Sequence, residues 1–294
     1  MTEGACHNDG RSEAIRSAEA CRKPDPDLVC GESEVLKPYS ASAARGEAPA
    51  AAGGPWSRFA FRAACVYTGN RARCESLHKE LDRVGLDVQD FWAFPNPYDQ
   101  VLMAAVPNAC RAMRTVRSFF NSTMNHYRIV KTARALGYES ILIVEDDARF
   151  LKDLRRVEEI VSALPSDYDV ALFDWDHQNK ASPAEYEAQR RSPAVNGFWQ
   201  RFRDLRSLAC WALSARGADA WLSWMEAPAS DPGRRLRIGD QVLTADRALA
   251  GLNAYCAFPA ACIQNCGSHN NSDHEGMLEK YRRQGFVLED YTEE

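Results

Sequence analysis

The segment SILIVEDD at residues 140–147 decides the fold, because an unbroken apolar run ends abruptly in three carboxylates. The apolar run at 141–144 is typical of a strand that is buried on both faces in the centre of an α/β sheet. In open α/β sheets, ligands bind beyond the carboxyl ends of the strands. Glu145, Asp146 and Asp147 therefore lie where a ligand site is expected.

Three adjacent carboxylates predict a site for a divalent cation. Glu145 and Asp147 are two residues apart, so in an extended chain their side chains point the same way. A hard cation such as Mn²⁺ or Mg²⁺ relieves the repulsion between carboxylates and often completes its coordination shell with substrate phosphates. The alternative is a strand end whose solvated acids cap the next helix. Three acids directly after a central strand favour the metal site.

Outward from this segment, strand and helix patterns alternate along the chain. Strands are predicted over residues 59–67, 88–94, 140–144, 170–173, 208–213 and 254–258. Helices are predicted over residues 71–85, 118–136, 153–164, 215–225 and 238–250. This alternation predicts an α/β sheet that is covered by helices on both faces. The polar stretch 176–206 is predicted to be an irregular functional loop whose aromatic residues could stack on a sugar.

Composition limits where the domain lies and what it binds. Residues 1–55 are rich in Glu, Ser, Ala, Gly and Pro and predict a disordered leader, which leaves 56–294 as a single globular domain. The net charge of -5 argues against a general nucleic-acid binder. The sequence contains neither a membrane-spanning apolar run nor a secretory signal, so a cytoplasmic protein is expected.

The ten cysteines are scattered along the chain, and several fall in apolar, strand-like runs. This placement predicts reduced thiols that are mostly buried. Cys256, Cys262, Cys266 and His269 together could offer four ligands to zinc. Because the paired C-x-x-C spacing of structural zinc sites is missing, unpaired thiols are the favoured interpretation.

A strand followed by acids also occurs in response-regulator receiver domains. Residues 168–174, YDVALFD, resemble the phospho-acceptor strand of a receiver, with Asp174 as the acceptor. The chain between Asp147 and Asp174 has room for one helix, whereas a receiver needs a helix, a strand and a second helix there. Two predicted strands also precede the acidic segment. The receiver is therefore kept as the minor alternative.

Several motifs in order resemble glycosyltransferase family 25, the lipooligosaccharide-type β-galactosyltransferases, over residues 62–275. His126 and the segment 137–148, which contains the acidic triplet, resemble the family's serine-histidine helix and its leucine-rich strand. Residues 208–222 resemble its aromatic-rich strand and small-residue helix. Asp240 lies where the family has an acidic residue after that helix. Gln264, Ser272 and Asp273 resemble the family's closing motif. Two stretches depart from the family's pattern. In the opening Asn-Leu-Asp-Arg-like stretch only Arg73 matches well, and before the histidine the family's Gly-Cys and Ser are Asn121-Ser122 and Asn125 here.

The resemblance implies a GT-A-like fold, the nucleotide-diphospho-sugar transferase architecture with a mixed central sheet flanked by helices. It implies a UDP-sugar donor, with galactose or glucose as the sugar, and Mn²⁺ or Mg²⁺ as the cation. The acceptor would be a glycan, a lipid-linked sugar or a protein hydroxyl. A catalytically inactive GT-A-fold binding protein is the alternative from another functional class.

The resemblance also assigns roles to individual residues. The metal ligands would be Glu145, Asp147 and His269, and the contacts to the nucleotide-sugar would come from Thr68, Arg73 and Asp146. An inverting transfer needs a carboxylate as general base, and Asp240 is the first candidate, with Asp174 and Asp176 in reserve. The alternative role of Asp240 is to cap the helix that follows it.

Overall fold

The computed structural model describes residues 54–66, 71–92, 117–174, 194–201, 208–226, 251–264, 279, 281–283 and 285–291. The predicted leader, apart from Gly54 and Pro55, and the predicted helix at 238–250 lie outside these residues. The α-helices of the described part include α1 (Arg71–Arg83), α2 (Arg117–Ala135), α3 (Leu154–Ser162) and α4 (Ala215–Glu226), and residues 279 and 281–283 are also helical. Its strands are β1 (Phe61–Val66), β2 (Gln89–Trp92), β3 (Ser140–Glu145), β4 (Ala148–Phe150), β5 (Val170–Leu172), β6 (Trp199–Arg201), β7 (Cys210–Ser214), β8 (Ala254–Ala257) and β9 (Cys262–Gln264).

Seven of these strands form one mixed sheet in the order β2-β1-β3-β7-β5-β8-β6. The β1 strand pairs in parallel with β2 and β3, and β5 pairs in parallel with β8. The β7 strand is antiparallel to both of its neighbours, β3 and β5, and edge strand β6 is antiparallel to β8. The predicted architecture, a mixed central sheet flanked by helices, is confirmed. A separate two-stranded sheet pairs β4 with β9.

The two faces of the sheet bury alternate residues of β3 in two different cores. Leu142 and Val144 belong to a core that includes residues of α1 and α3. Ile141 and Ile143 belong to a second core, on the side of α2 and α4. All four side chains are fully buried, as expected for a central strand that is covered on both faces. The continuous apolar run therefore predicted its surroundings correctly.

Three short strands were not predicted from the sequence. The β6 strand lies inside the stretch 176–206 that was predicted to be irregular, and this prediction is wrong for Trp199–Arg201. Trp199 is fully buried against Phe173, and its indole N–H donates to the Ile160 carbonyl at 2.8 Å. The β4 and β9 strands are likewise only three residues long, too short for a periodic pattern to be recognised.

Among the described residues, no helix combines the length and the apolar character that crossing a membrane requires.

A buried carboxylate, Asp169, fixes the start of α4. It accepts hydrogen bonds from Ser214 Oγ at 3.1 Å, from Arg216 Nε at 2.7 Å and from the Asn253 amide at 2.7 Å. Ser214 Oγ in turn accepts from the amide of Gly217 at 3.1 Å, which satisfies one of the free N–H groups at the helix start. Burial opposes ionisation of Asp169, but the hydrogen bonds outweigh it and lower its pKa. The segment at 214–217 therefore has a structural task, whatever its family resemblance.

Candidate functional site

The acidic triplet lies at the carboxyl end of β3, where the backbone is held from two sides. The Asp146 amide donates to the Cys65 carbonyl of β1 at 3.1 Å, and the Glu145 amide donates to the Ala209 carbonyl at 2.8 Å. Asp146 is fully buried, and Glu145 and Asp147 are each only 7% exposed. Three carboxylates are thus concentrated in a region from which bulk water is largely excluded, so their charges must be balanced locally.

Glu145 is oriented by a buried histidine on α2. The Nε2 atom of His126 lies 3.0 Å from Glu145 Oε1, and its Nδ1 lies 3.2 Å from the indole nitrogen of Trp211. An indole N–H can only donate, so Nδ1 accepts and carries no proton. In the neutral ring the proton then sits on Nε2 and is donated to Glu145. This arrangement makes His126 a positioning residue for the carboxylate.

The same hydrogen bonds argue against a metal held by His126 itself. Cys65, His126 and Glu145 bring three ligand atoms within 4.8 Å of one another. A ring nitrogen that carries a proton has no lone pair for a cation, and Nε2 is the nitrogen that faces this group. Cys65 is fully buried, and this burial raises the pKa of its thiol well above the ordinary value. These three residues do not suit a metal ion.

Asp146 and Asp147 share one guanidinium group, that of Arg73 in the first turn of α1. The Arg73 Nη2 atom lies 2.5 Å from Asp146 Oδ1 and 3.0 Å from Asp147 Oδ2. Asp147 Oδ2 also accepts from the side-chain amide of Gln264 on β9 at 3.1 Å. Arg73, which was predicted to contact the diphosphate, thus lies beside two residues of the acidic triplet. Within the described part of the chain, this one guanidinium faces two carboxylates.

Asp147 carries the clearest sign of an unsatisfied charge. Its other oxygen, Oδ1, is buried and has no hydrogen-bond partner within the described part of the chain. Burial raises the pKa of Asp147 to about 7, and Arg73 only partly offsets this effect, while Glu145 and Asp146 add to it. A buried carboxylate oxygen without a donor costs free energy that a bound cation removes. The donor set around Asp147 therefore fits a hard divalent cation, for which carboxylate oxygens are preferred ligands.

The local backbone differs from the extended chain assumed in the sequence analysis. Asp146 and Asp147 lie in a turn between β3 and β4, so strand alternation does not fix their side chains. Glu145 contacts His126, whereas Asp147 contacts Arg73 and Gln264. The extended-chain geometry that predicted a common direction for Glu145 and Asp147 therefore does not continue past Glu145. The turn still keeps all three carboxylates at one edge of the sheet.

Several predicted site residues lie outside the described part of the chain, namely Thr68, Asp176, Asp240, His269, Ser272 and Asp273. Asp174, a reserve candidate for the base, is described and is 2% exposed. Its two oxygens accept backbone N–H groups of Ala209 at 3.0 Å and Cys210 at 3.3 Å. These bonds hold the start of β7 against the end of β5, which is a structural role.

The receiver alternative conflicts with the sheet topology. A receiver belongs to the doubly wound class with sheet order 2-1-3-4-5, in which the strand bearing the phospho-acceptor is next to the strand bearing the acidic pair. Here the antiparallel strand β7 separates β3 from β5. Asp174 is also bound to backbone amides and buried. The chain therefore does not have the fold of a receiver domain.

The described cysteines agree with the prediction of reduced, buried thiols. Cys65, Cys74, Cys210, Cys256 and Cys262 are all free and buried. Burial, followed by the charge of Asp90, raises the pKa of Cys74 to about 11, so this thiol is not an activated nucleophile. Of the four candidate zinc ligands near the end of the chain, Cys256 and Cys262 lie in strands, and Cys266 and His269 lie outside the described residues.

Two residues of this site were not recognised from the sequence. Trp211 fixes the His126 tautomer, and the Cys65 carbonyl holds the turn. A tryptophan in an apolar strand gives no sign of such a role, because the pairing of β3 with β7 joins positions about 70 residues apart. Gln264 was recognised only as part of a resemblance, and the structure gives it a contact with Asp147.

Comparisons with known proteins gave structural similarities only. The chain is similar to a glycosyltransferase involved in the glycosylation of the major capsid of PBCV-1, with 8% identity over 74% of this chain and 99% of that one and a TM-score of 0.40. It is also similar to the protein A197 from STIV, with 10% identity over 67% of this chain and 81% of that one and a TM-score of 0.33. No protein-family model and no curated protein matches the sequence. Similarity at this level does not transfer an activity, and membership of family 25 stays a prediction.

Proposed function

We propose that this protein is a metal-dependent glycosyltransferase of GT-A-like fold that acts in the cytoplasm and transfers a hexose, galactose or glucose, from a UDP-sugar. The acceptor would be the hydroxyl of a glycan, a lipid-linked sugar or a protein. The observation that carries the proposal is the buried, unpartnered Oδ1 of Asp147 beside two further carboxylates and one arginine. A divalent cation would neutralise the negative charge of the carboxylates. A bound diphosphate would neutralise the positive charge that remains on the cation and complete its coordination shell.

In this proposal, the cation is held by Glu145 and Asp147, with His269 as a third ligand. A bound Mn²⁺ or Mg²⁺ would supply Lewis-acid stabilisation of the charge on the departing UDP. The hydrogen bond from His126 keeps the Glu145 carboxylate turned in one direction. Arg73 is already within reach of both aspartates and would add a charge-assisted hydrogen bond to the diphosphate. Asp146 and Thr68 would contact the rest of the nucleotide-sugar.

The nucleotide preference can be tested by thermal unfolding. We expect a UDP-sugar with Mn²⁺ to raise the melting temperature by about 5 °C or more when its concentration is about 100 times its dissociation constant. Binding at that concentration adds about 2.7 kcal/mol to the free energy of unfolding. GDP- and CMP-sugars, and UDP-sugars after addition of a chelator, serve as the matched controls. If no nucleotide-sugar stabilises the chain in the presence of Mn²⁺, the proposal is wrong. Binding without any UDP release would instead support an inactive binding protein.

The general base can be separated from the metal site by one substitution. Asp240→Asn should lower the rate of hexose transfer by about 100-fold to 10,000-fold, because asparagine cannot accept the proton of the acceptor hydroxyl. The Mn²⁺-dependent thermal shift with the UDP-sugar should persist, since Asp240 is not assigned to the metal. UDP release and melting temperature are measured on the same preparation. Unchanged transfer in this variant would remove Asp240 from the mechanism.

A further inference from the structure

A second group of potential metal ligands lies between α1 and the edge strand β2, apart from the acidic triplet. Cys74 and His78 are four residues apart on α1 and so share one face of the helix. Asp90 comes from β2, the outermost strand on that side of the sheet. The Sγ, imidazole nitrogen and carboxylate oxygen of these three residues all lie within 4.8 Å of one another.

The distances within this group are close to those of a metal site. His78 Nε2 lies 3.1 Å from Asp90 Oδ2, and Cys74 Sγ lies 3.9 Å from the same oxygen. Tetrahedral zinc with bonds of about 2.0–2.3 Å separates its ligand atoms by about 3.3–3.8 Å. The two distances to Asp90 Oδ2 therefore lie within a few tenths of an ångström of the tetrahedral range, and the third pair, Cys74 and His78, lies within 4.8 Å.

Burial and charge also suit a cation at this position. Asp90 Oδ1 is buried and has no hydrogen-bond partner among the residues that the structure describes. The Cys74 side chain is buried, whereas the side chains of His78 and Asp90 are 42% and 27% exposed, which leaves a route for the ion from solvent. A thiolate, a carboxylate and a neutral imidazole carry two negative charges together, which balances Zn²⁺.

We propose that Cys74, His78 and Asp90 form a zinc site with three protein ligands and one position open to water. The mixed sulfur, nitrogen and oxygen donors favour Zn²⁺ over Mg²⁺ or Mn²⁺, which prefer oxygen. The ion joins α1 to β2 directly after Arg73, the residue that contacts Asp146 and Asp147. Zinc at this position would fix the first turn of α1 and hence the guanidinium at the acidic triplet.

The site is tested by metal titration of the full chain after chelator treatment. We expect about one equivalent of Zn²⁺ to bind in competition with a chromophoric chelator, and Co²⁺ at the same site to give a thiolate-to-cobalt charge-transfer band. Cys74→Ser should remove this band, and His78→Ala and Asp90→Asn should each weaken zinc binding by at least about 100-fold. His78 is partly exposed, so its replacement provides a test if Cys74→Ser fails to fold.

Two control variants separate this site from other thiols and from the acidic triplet. Cys256→Ala removes a buried cysteine of β8 and should leave the cobalt band unchanged. Asp147→Asn should also leave the band unchanged, because the proposed site at the triplet contains no thiolate, so the two proposals can fail independently. A wild-type chain that binds no more zinc than the His78→Ala variant would refute the site. A cobalt band that survives in Cys74→Ser would refute it equally.

Discussion

Replacing Asp147 with asparagine is expected to abolish the Mn²⁺-dependent thermal shift and to lower hexose transfer by about 100-fold to 1,000-fold. Asparagine keeps the size of the side chain and can still bond to Gln264, but it lacks the charge that a cation requires. Thermal unfolding and UDP release with a UDP-sugar, each with and without Mn²⁺, measure the two effects. Asp82→Asn, an exposed acid on α1, is the matched control and should behave as wild type.

The same variant should change how stability depends on pH when no metal is present. Burial raises the pKa of Asp147 to about 7 in the folded chain, above its ordinary value of 3.8. Between these values the folded chain holds a proton that the unfolded chain has released. The free energy of unfolding therefore falls as the pH rises through this window, with a contribution of up to about 1.4 kcal/mol per pH unit. Denaturant unfolding between about pH 4.5 and 6.5 should show this contribution in wild type and lose it in Asp147→Asn. An identical pH dependence in both proteins would contradict the assigned role of Asp147.

Replacing Gly217 with alanine is expected to lower the free energy of unfolding by at least about 3 kcal/mol, at the upper end of overpacking effects. A methyl group at this position would lie 2.0 Å from the Asp169 carbonyl oxygen and 2.8 Å from its carbonyl carbon. Both are backbone atoms, and that oxygen already accepts the Ser214 amide at 3.0 Å. This clash can be relieved only if α4 moves away from the sheet. That movement would break the hydrogen bonds of Asp169.

The control for this substitution is the same change where space is open. Gly54 has ordinary extended backbone, and a methyl group added to it meets no atom within 4 Å. Gly54→Ala should leave the free energy of unfolding, measured with denaturant, within about 0.5 kcal/mol of wild type. If Gly217→Ala were equally harmless, the close approach of α4 to Asp169 would be incorrect.

The sequence was most informative where the same pattern of burial continues along a whole strand or helix. The apolar run at 141–144 predicted a central strand because both of its faces are buried, and helix patterns such as 71–85 correspond to observed helices. The position of the acidic triplet at a strand end followed from the same run. Strands of three residues, such as Trp199–Arg201, contain too little pattern to be recognised before their partners are known.

The contacts inside the site could be predicted only in part. Arg73 was placed with the triplet by resemblance, and it contacts Asp146 and Asp147. The turn that separates Glu145 from Asp147 could not be inferred, since three adjacent acids continue a strand as readily as they end one. The indole of Trp211 and the amide of Gln264 reach the site through strand pairings between distant parts of the chain. Such pairings are a property of the folded sheet and leave no local pattern.

The central place of β7 also determines the order in which the sheet can be completed during synthesis. Its neighbours β3 and β5 leave the ribosome earlier, yet they have no direct pairing with each other. Until Cys210–Ser214 emerges, each of these two apolar strands has an unpaired edge facing the gap that β7 later fills. Exposed edges of this kind recruit strands from other chains. Nascent or truncated chains that end before residue 210 should therefore aggregate, and the arrival of β7 is the step that joins the two halves of the sheet.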